Sequence, residues 1–190
     1  MGKGRIEAFS DGVIAIIITI MVLELRPPEG EDWSAILKLW PVFLSYVLSF
    51  VNVGICWSNH HHMLSRVTRV DGRILWLNLH LLFWLSLMPF ATAVMGEGAF
   101  SRFGVALYGA DLFLCSAAYS LLVRAFRALH GPESDFAHAI GRDVKGAASA
   151  LGYAAGFGLS FLSPALGLAV YAGVTAMWFI PDRRFVRPSA

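Results

Sequence analysis

The chain has 190 residues, of which 57% are hydrophobic and 15% charged, and its mean hydropathy is +0.62. Soluble domains carry about 25% charged residues, so this composition excludes one and places the chain in a membrane. The net charge of +2 excludes nothing until it is resolved loop by loop.

The first apolar stretch, Gly12 to Leu23, is twelve residues long. At 1.5 Å per residue that is about 18 Å of helix, short of the ~20 apolar residues a lipid-facing span needs. The helix must therefore run back through Arg5-Ile6-Glu7-Ala8-Phe9-Ser10-Asp11 or on through Glu24. Charges at membrane depth are expensive and face protein or water. The first span is thus expected to be enclosed by protein or to border a water-filled path, which points to a conduit. A cleavable signal peptide is a poor reading: Asp11 interrupts the stretch, no A-x-A-like site follows, and Glu24-Leu25-Arg26-Pro27-Pro28 stands where cleavage would fall.

Six hydrophobic segments follow along the chain, at 7–25, 35–58, 74–95, 103–124, 144–162 and 164–180. They predict an all-α membrane protein with one six-span domain over residues 1–190. Pro27-Pro28-Glu29-Gly30-Glu31-Asp32 ends the first segment, Gly96-Glu97-Gly98 the third, and Ser163-Pro164 turns the fifth into the sixth. The longest connection, Arg124 to Lys145, is polar.

Basic residues set the orientation. Lys3, Arg5, Arg66, Arg69, Arg73, Arg124, Arg127, Arg142, Lys145, Arg183, Arg184 and Arg187 fall on one side, against Arg26, Lys38 and Arg102 on the other. Twelve against three puts both termini in the cytoplasm. The outer loop after the first span is acidic, with Glu24, Glu29, Glu31 and Asp32. It would concentrate cations at an outer mouth of a pore, and a merely solvated loop has the same composition.

No internal repeat echoes the Arg5–Asp11 pattern, so one chain offers one unusual helix. A pathway lined by it needs several copies around an axis, most simply a cyclic homo-oligomer. In the fifth and sixth segments Gly152, Gly156, Gly158, Ser160, Gly167 and Gly173 allow close helix approach. Cys56 and Cys115 sit in apolar stretches and read as small buried hydrophobes.

Within the first span, Ile16, Ile20 and Leu23 are spaced i, i+4, i+7 and share one stripe. Ile14, Ile18, Met21 and Leu25 form an equally apolar one, and periodicity does not choose between them. Arg5 and Asp11 lie about 240° apart around a helix, so each needs partners on neighbouring helices. The expected partners are at the cytoplasmic ends of the second and third spans: a polar cluster of Arg5, Ser10 and Asp11 with His60 or His61 and Asn78. Consecutive His60, His61 and His62 splay by about 100° each, so no metal site is expected there. Asp111 interrupts the fourth span, either as a functional carboxylate or as an acid bonded to Tyr108, Tyr119 or another helix.

Arg5, Phe9, Ser10 and Asp11 satisfy R-x-x-x-F-S-D at the head of the first span, running on through Gly12-Val13-Ile14-Ala15-Ile16. A second block comprises Trp57-Ser58-Asn59-His60-His61, Arg69-Val70-Asp71, Leu75-Trp76-Leu77-Asn78 and Pro89-Phe90. In these blocks, about half the chain, the sequence resembles the transmembrane protein 175 family, the lysosomal potassium channel and its shorter bacterial relatives. The resemblance implies a homotetramer whose first helices line a central pore conducting potassium in preference to sodium. It implies a constriction at an apolar residue five positions after the motif aspartate, here Ile16, with further rings at Ile20 and Leu23. No T-V-G-Y-G filter is present, in keeping with that family. A threonine layer at Thr19 either contacts the ion or bonds a carbonyl one turn back. Glu24 is either an outer cation-attracting ring or a solvated helix end.

The expected function is therefore a potassium-permeable channel with an apolar constriction. The expected partners are further copies of the chain, monovalent cations and the lipid bilayer, with no nucleic acid and no cofactor besides the permeating potassium. The alternative is a proton- or ion-coupled secondary transporter using Asp11 and Asp111. A membrane enzyme lacks its chemistry: no H-E-x-x-H, no G-x-S-x-G and no paired carboxylates occur. High alanine, many arginines and few lysines suggest a GC-rich bacterial genome, and hence the plasma membrane.

Overall fold

A computed structural model describes residues 2–30, 32–141 and 143–179. Glu31, Arg142, Arg183, Arg184 and Arg187, used above for charge and orientation, lie outside the described residues. Among those described there are eight helices: α1 (Lys3–Leu23), α2 (Trp33–Lys38), α3 (Trp40–Ser65), α4 (Gly72–Glu97), α5 (Arg102–His130), α6 (Asp135–Ile140), α7 (Val144–Ser160) and α8 (Pro164–Phe179).

The first helix reaches spanning length by running back through the charged motif to Lys3, and it ends at Leu23 with Glu24 as its C-cap. The second predicted segment, 35–58, is corrected: it is two helices broken at Leu39. Asp32 caps α2 by accepting from the Ala35 N–H at 2.9 Å. Pro41 has no N–H to give to a carbonyl four residues back, and it falls in the first turn of α3, where none is needed. Asp71 caps α4 (Ile74 N–H, 2.9 Å), Ser101 caps α5 (Gly104 N–H, 3.2 Å) and Asp143 caps α7 (Gly146 N–H, 3.2 Å).

Four helices, α1, α3, α4 and α5, are long and apolar enough to cross a membrane. Among the described residues α7 has 17 and α8 has 16. At 1.5 Å per residue they reach about 25 Å, under a hydrocarbon core of about 30 Å. The last two predicted segments thus form a shorter hairpin, turned at Ser163-Pro164.

Helix α4 is the centre of the bundle, packed on α5, α3 and α1, while α7 and α8 pack on each other and on α5. Leu81, Met95, Val53, Tyr108, Leu122 and Phe126 are fully buried at these contacts. Tyr171 of α8 is wedged where Gly109 of α5 and Gly156 of α7 leave room; a β-carbon at either glycine would collide with its ring. Gly152 and Gly167 also face close neighbours, whereas Gly158 and Gly173 face open space within the subunit.

A polar hub joins α3 to the last two helices. Asn52 Oδ1 accepts from the Tyr153 hydroxyl at 3.1 Å and the Thr175 hydroxyl at 3.2 Å. Its own amide donates to the Leu48 carbonyl at 2.9 Å.

Candidate pore face and its polar anchor

An apolar helix with two packed neighbours buries whatever faces them. On α1 the buried positions are Ile6, Ser10, Ile14, Ile17 and Met21, seated against α3 and α4. The two rival stripes therefore separate. Ile14 and Met21 are each 1% exposed, while Ile16, Ile20 and Leu23 are 58%, 43% and 74% exposed. Phe9, Gly12 and Thr19 are exposed as well, and Glu24 is partly so. The Thr19 hydroxyl donates to the Ile16 carbonyl at 2.9 Å, leaving oxygen lone pairs free to accept or coordinate.

Beside this stripe a groove runs between α1 and α4, lined by Ile16, Ile20, Pro89, Phe90 and Val94. At its end Arg26 and Glu97 approach to 3.9 Å, both well exposed. A pair so exposed contributes little to stability.

The charged motif anchors the other side of α1 through three contacts. Ser10 is buried and accepts from the Asn78 amide at 2.9 Å, while its own hydroxyl donates to the Ile6 carbonyl at 2.8 Å. Asn78 Oδ1 lies 2.8 Å from His60 Nε2, which must donate because the Asn78 amide nitrogen already serves Ser10. One directed chain thus ties α3 to α4 to α1. Asp11 instead accepts from the Trp57 indole N–H at 2.9 Å, and Glu7 lies 3.3 Å from His61 Nδ1.

The structure brings Ser10, Asn78 and His60 together as a cluster. It does not bring Arg5 or Phe9 into it: both are exposed. Trp57 and Glu7 were missed as participants. Their signal lay in spacing, for Glu7 and Asp11 are one turn apart on α1 and Trp57 and His61 one turn apart on α3. Two antiparallel helices with matching i, i+4 pairs form a two-rung ladder, 7 with 61 and 11 with 57. The three consecutive histidines point to three different partners, Asn78, Glu7 and Ser58.

Asp111 is buried, and neither carboxylate oxygen has a hydrogen-bond partner among the described residues. The tyrosines expected to hold it bond elsewhere. The Tyr108 hydroxyl meets Ser49 at 3.2 Å, and that of Tyr119 donates to the Asn59 carbonyl at 3.1 Å.

The profile of the family described as "Endosomal/lysosomal potassium channel TMEM175" matches residues 5–89, which hold most of α1, all of α2 and α3, and most of α4. A potassium channel of a Chryseobacterium species is 48% identical over 184 residues, covering 97% of this chain and 96% of that one. A potassium channel of Streptomyces collinus is 34% identical, covering 98% of each. The crystal structure of a lysosomal potassium-selective channel TMEM175 homolog from Chamaesiphon minutus superposes with a TM-score of 0.82 at 30% identity, over 97% of this chain and 98% of that one.

Proposed function

The chain belongs to the TMEM175 family of channels, and on that premise we propose that it is a channel for potassium in preference to sodium. Four copies surround an axis, each presenting the exposed face of α1, so that Ile16, Ile20 and Leu23 form stacked apolar rings. Membership of a channel family also sets an enzyme aside. The observation that carries the reading is the split of α1 into two faces. One is anchored to α3 and α4 by apolar packing and the polar chain; the other is apolar and uncovered in a single subunit. A ring of copies covers it without lipid.

Six spans per chain, with α7 and α8 as the shorter pair, put both termini on the basic, cytoplasmic side of a bacterial plasma membrane. An apolar ring gates by dewetting, and opening requires α1 to move outward. Hydrocarbon cannot replace a hydration shell, so a narrow ring penalises sodium, the more strongly hydrated ion. Thr19 oxygens, one turn from Ile16, are the nearest groups able to coordinate. Glu24 stands at the outer end of the same helix, where it draws cations to the mouth.

A second reading, a proton- or ion-coupled carrier, draws on Asp111, buried without a partner among the described residues. Planar-bilayer recording of the purified protein beside Ile16→Asn separates them. A channel shows discrete openings, and the variant eases permeation and loosens discrimination. Saturable transport without openings would establish the carrier, and unchanged currents would move the constriction off Ile16.

A further inference from the structure

A second membrane-facing feature lies on the helices that do not carry the pore face. Between α5 and α7 runs a groove whose apolar length is lined by Ala117, Leu121, Ala147 and Leu151 and whose basic end carries Arg124 and Arg127. The arginines are three residues apart, so they project from one face of α5, and both are exposed. Arg127 gives one N–H to the Gly141 carbonyl at 3.3 Å, which leaves most of its five donors for another acceptor. Asp143, the acid in the same lining, accepts from the Gly146 N–H at the start of α7, so it is held against that helix end.

We propose that this groove binds an anionic phospholipid, its phosphate on Arg124 and Arg127 and one acyl chain along Ala117, Leu121, Ala147 and Leu151. The order of chemistries along the groove matches the order along such a lipid, hydrocarbon first and then a negative diester. The planar guanidinium forks donate in parallel to the phosphate oxygens of either headgroup, and the net charge selects: an anionic lipid keeps the full attraction, whereas the ammonium of a zwitterionic headgroup offsets it. Ala117 of α5 and Ala147 of α7 add only a methyl each to the lining, which leaves the track open for a methylene chain. The groove belongs to α5 and α7, whereas α1 packs on α3 and α4. In an assembly with α1 at its axis, the groove therefore looks outward to lipid.

The test is native mass spectrometry of the assembled protein released from phosphatidylcholine nanodiscs doped with phosphatidylglycerol. The wild type carries phosphatidylglycerol over phosphatidylcholine. R124Q/R127Q loses that enrichment by about tenfold or more, since each basic residue near an anionic surface is worth ~1 kcal/mol, about fivefold. R66Q/R73Q, at the same basic end but outside the groove, keeps it. Leu121→Trp fills the acyl track with both arginines in place and also loses it, which decides the matter if the double arginine variant does not fold. Enrichment retained in R124Q/R127Q or in Leu121→Trp would overturn the site. So would an equal loss in R66Q/R73Q, which would reduce it to a general basic belt, or displacement by inorganic phosphate alone, which would make it a free-anion site.

Discussion

Asn78 donates its amide to Ser10 at 2.9 Å and faces His60 Nε2 at 2.8 Å, so one side chain on α4 serves both α1 and α3. All three residues are buried inside the helix bundle, where a lost partner is not readily replaced by water. Asn78→Leu strands the Ser10 oxygen's second position and the His60 N–H together. At ~1–3 kcal/mol per stranded group, the variant loses about 2–6 kcal/mol. Asn78→Asp keeps the acceptor for His60 but buries a carboxylate and turns an acceptor toward the Ser10 oxygen, whose proton already serves the Ile6 carbonyl, so it is destabilised as well. Unfolding midpoints in detergent rank the two; equal, near-wild-type midpoints would mean the chain does not hold α1.

The two apolar stripes of α1 make opposite predictions. Ile14 is 1% exposed in the subunit core, and its truncation to alanine costs about 2–5 kcal/mol of stability. Ile16 lies on the uncovered face, and Ile16→Ala leaves subunit stability within about 0.5 kcal/mol while altering currents. The paired measurement is unfolding beside bilayer recording on each variant. If Ile14→Ala changed permeation without destabilising, the assignment of faces would be reversed.

Which stripe of α1 is buried depends on its neighbours and not on its own sequence. That α1 must outrun its apolar stretch was legible, because twelve residues are too short to span; that it does so backwards to Lys3 rather than onwards through Glu24 was not. Its facing was not: the helix is apolar nearly all round, and only contact with α3 and α4 decides which isoleucines are core. The break at Leu39 escaped hydropathy, which averages across a boundary marked only by the missing N–H at Pro41. Ser10, Asn78 and His60 were legible as polar residues stranded in apolar segments. Trp57 and Glu7 were not, since an indole reads as apolar and a glutamate near a terminus reads as solvated. The surroundings of Asp111 were equally hidden, because nothing in sequence says that Tyr108 and Tyr119 would be engaged elsewhere.

Asp11 accepts from the Trp57 indole at 2.9 Å, a contact half open to solvent. Trp57→Phe keeps the ring and removes the donor, and the loss of this charge-assisted bond is about 1 kcal/mol at such exposure. Asp11→Ala lowers the yield of assembled protein in size-exclusion chromatography, since it frees the lower rung between α1 and α3. Normal assembly with altered ion selectivity would instead place Asp11 in the permeation path.

Gly109 leaves the space that Tyr171 fills, and Tyr171 is fully buried. Gly109→Ala drives a methyl into the phenol and costs about 1–3 kcal/mol through overpacking. Tyr171→Leu opens a cavity and costs about 2–4 kcal/mol. Together the methyl occupies part of that cavity, so the double variant loses at least ~0.5 kcal/mol less than the sum. A thermal-unfolding double-mutant cycle reads the coupling, and strict additivity would show that the two residues do not meet.

Asp32 lies outside the spans at the start of α2, and its carboxylate is held below the usual carboxylate range by the Ala35 N–H first and the Ser34 hydroxyl second. A depressed folded value fixes the sign: the cap supports α2 fully above the unfolded carboxylate pKa and is lost as pH falls through the folded one. Hydrogen-exchange protection of residues 33–38 should accordingly fall with acid in the wild type. Asp32→Asn keeps a capping oxygen that does not titrate, so its protection is flat across the same range. Asp32→Ala is unprotected throughout. An acid-induced loss that persists in Asp32→Asn would assign the pH dependence to another group and leave this cap without influence on α2.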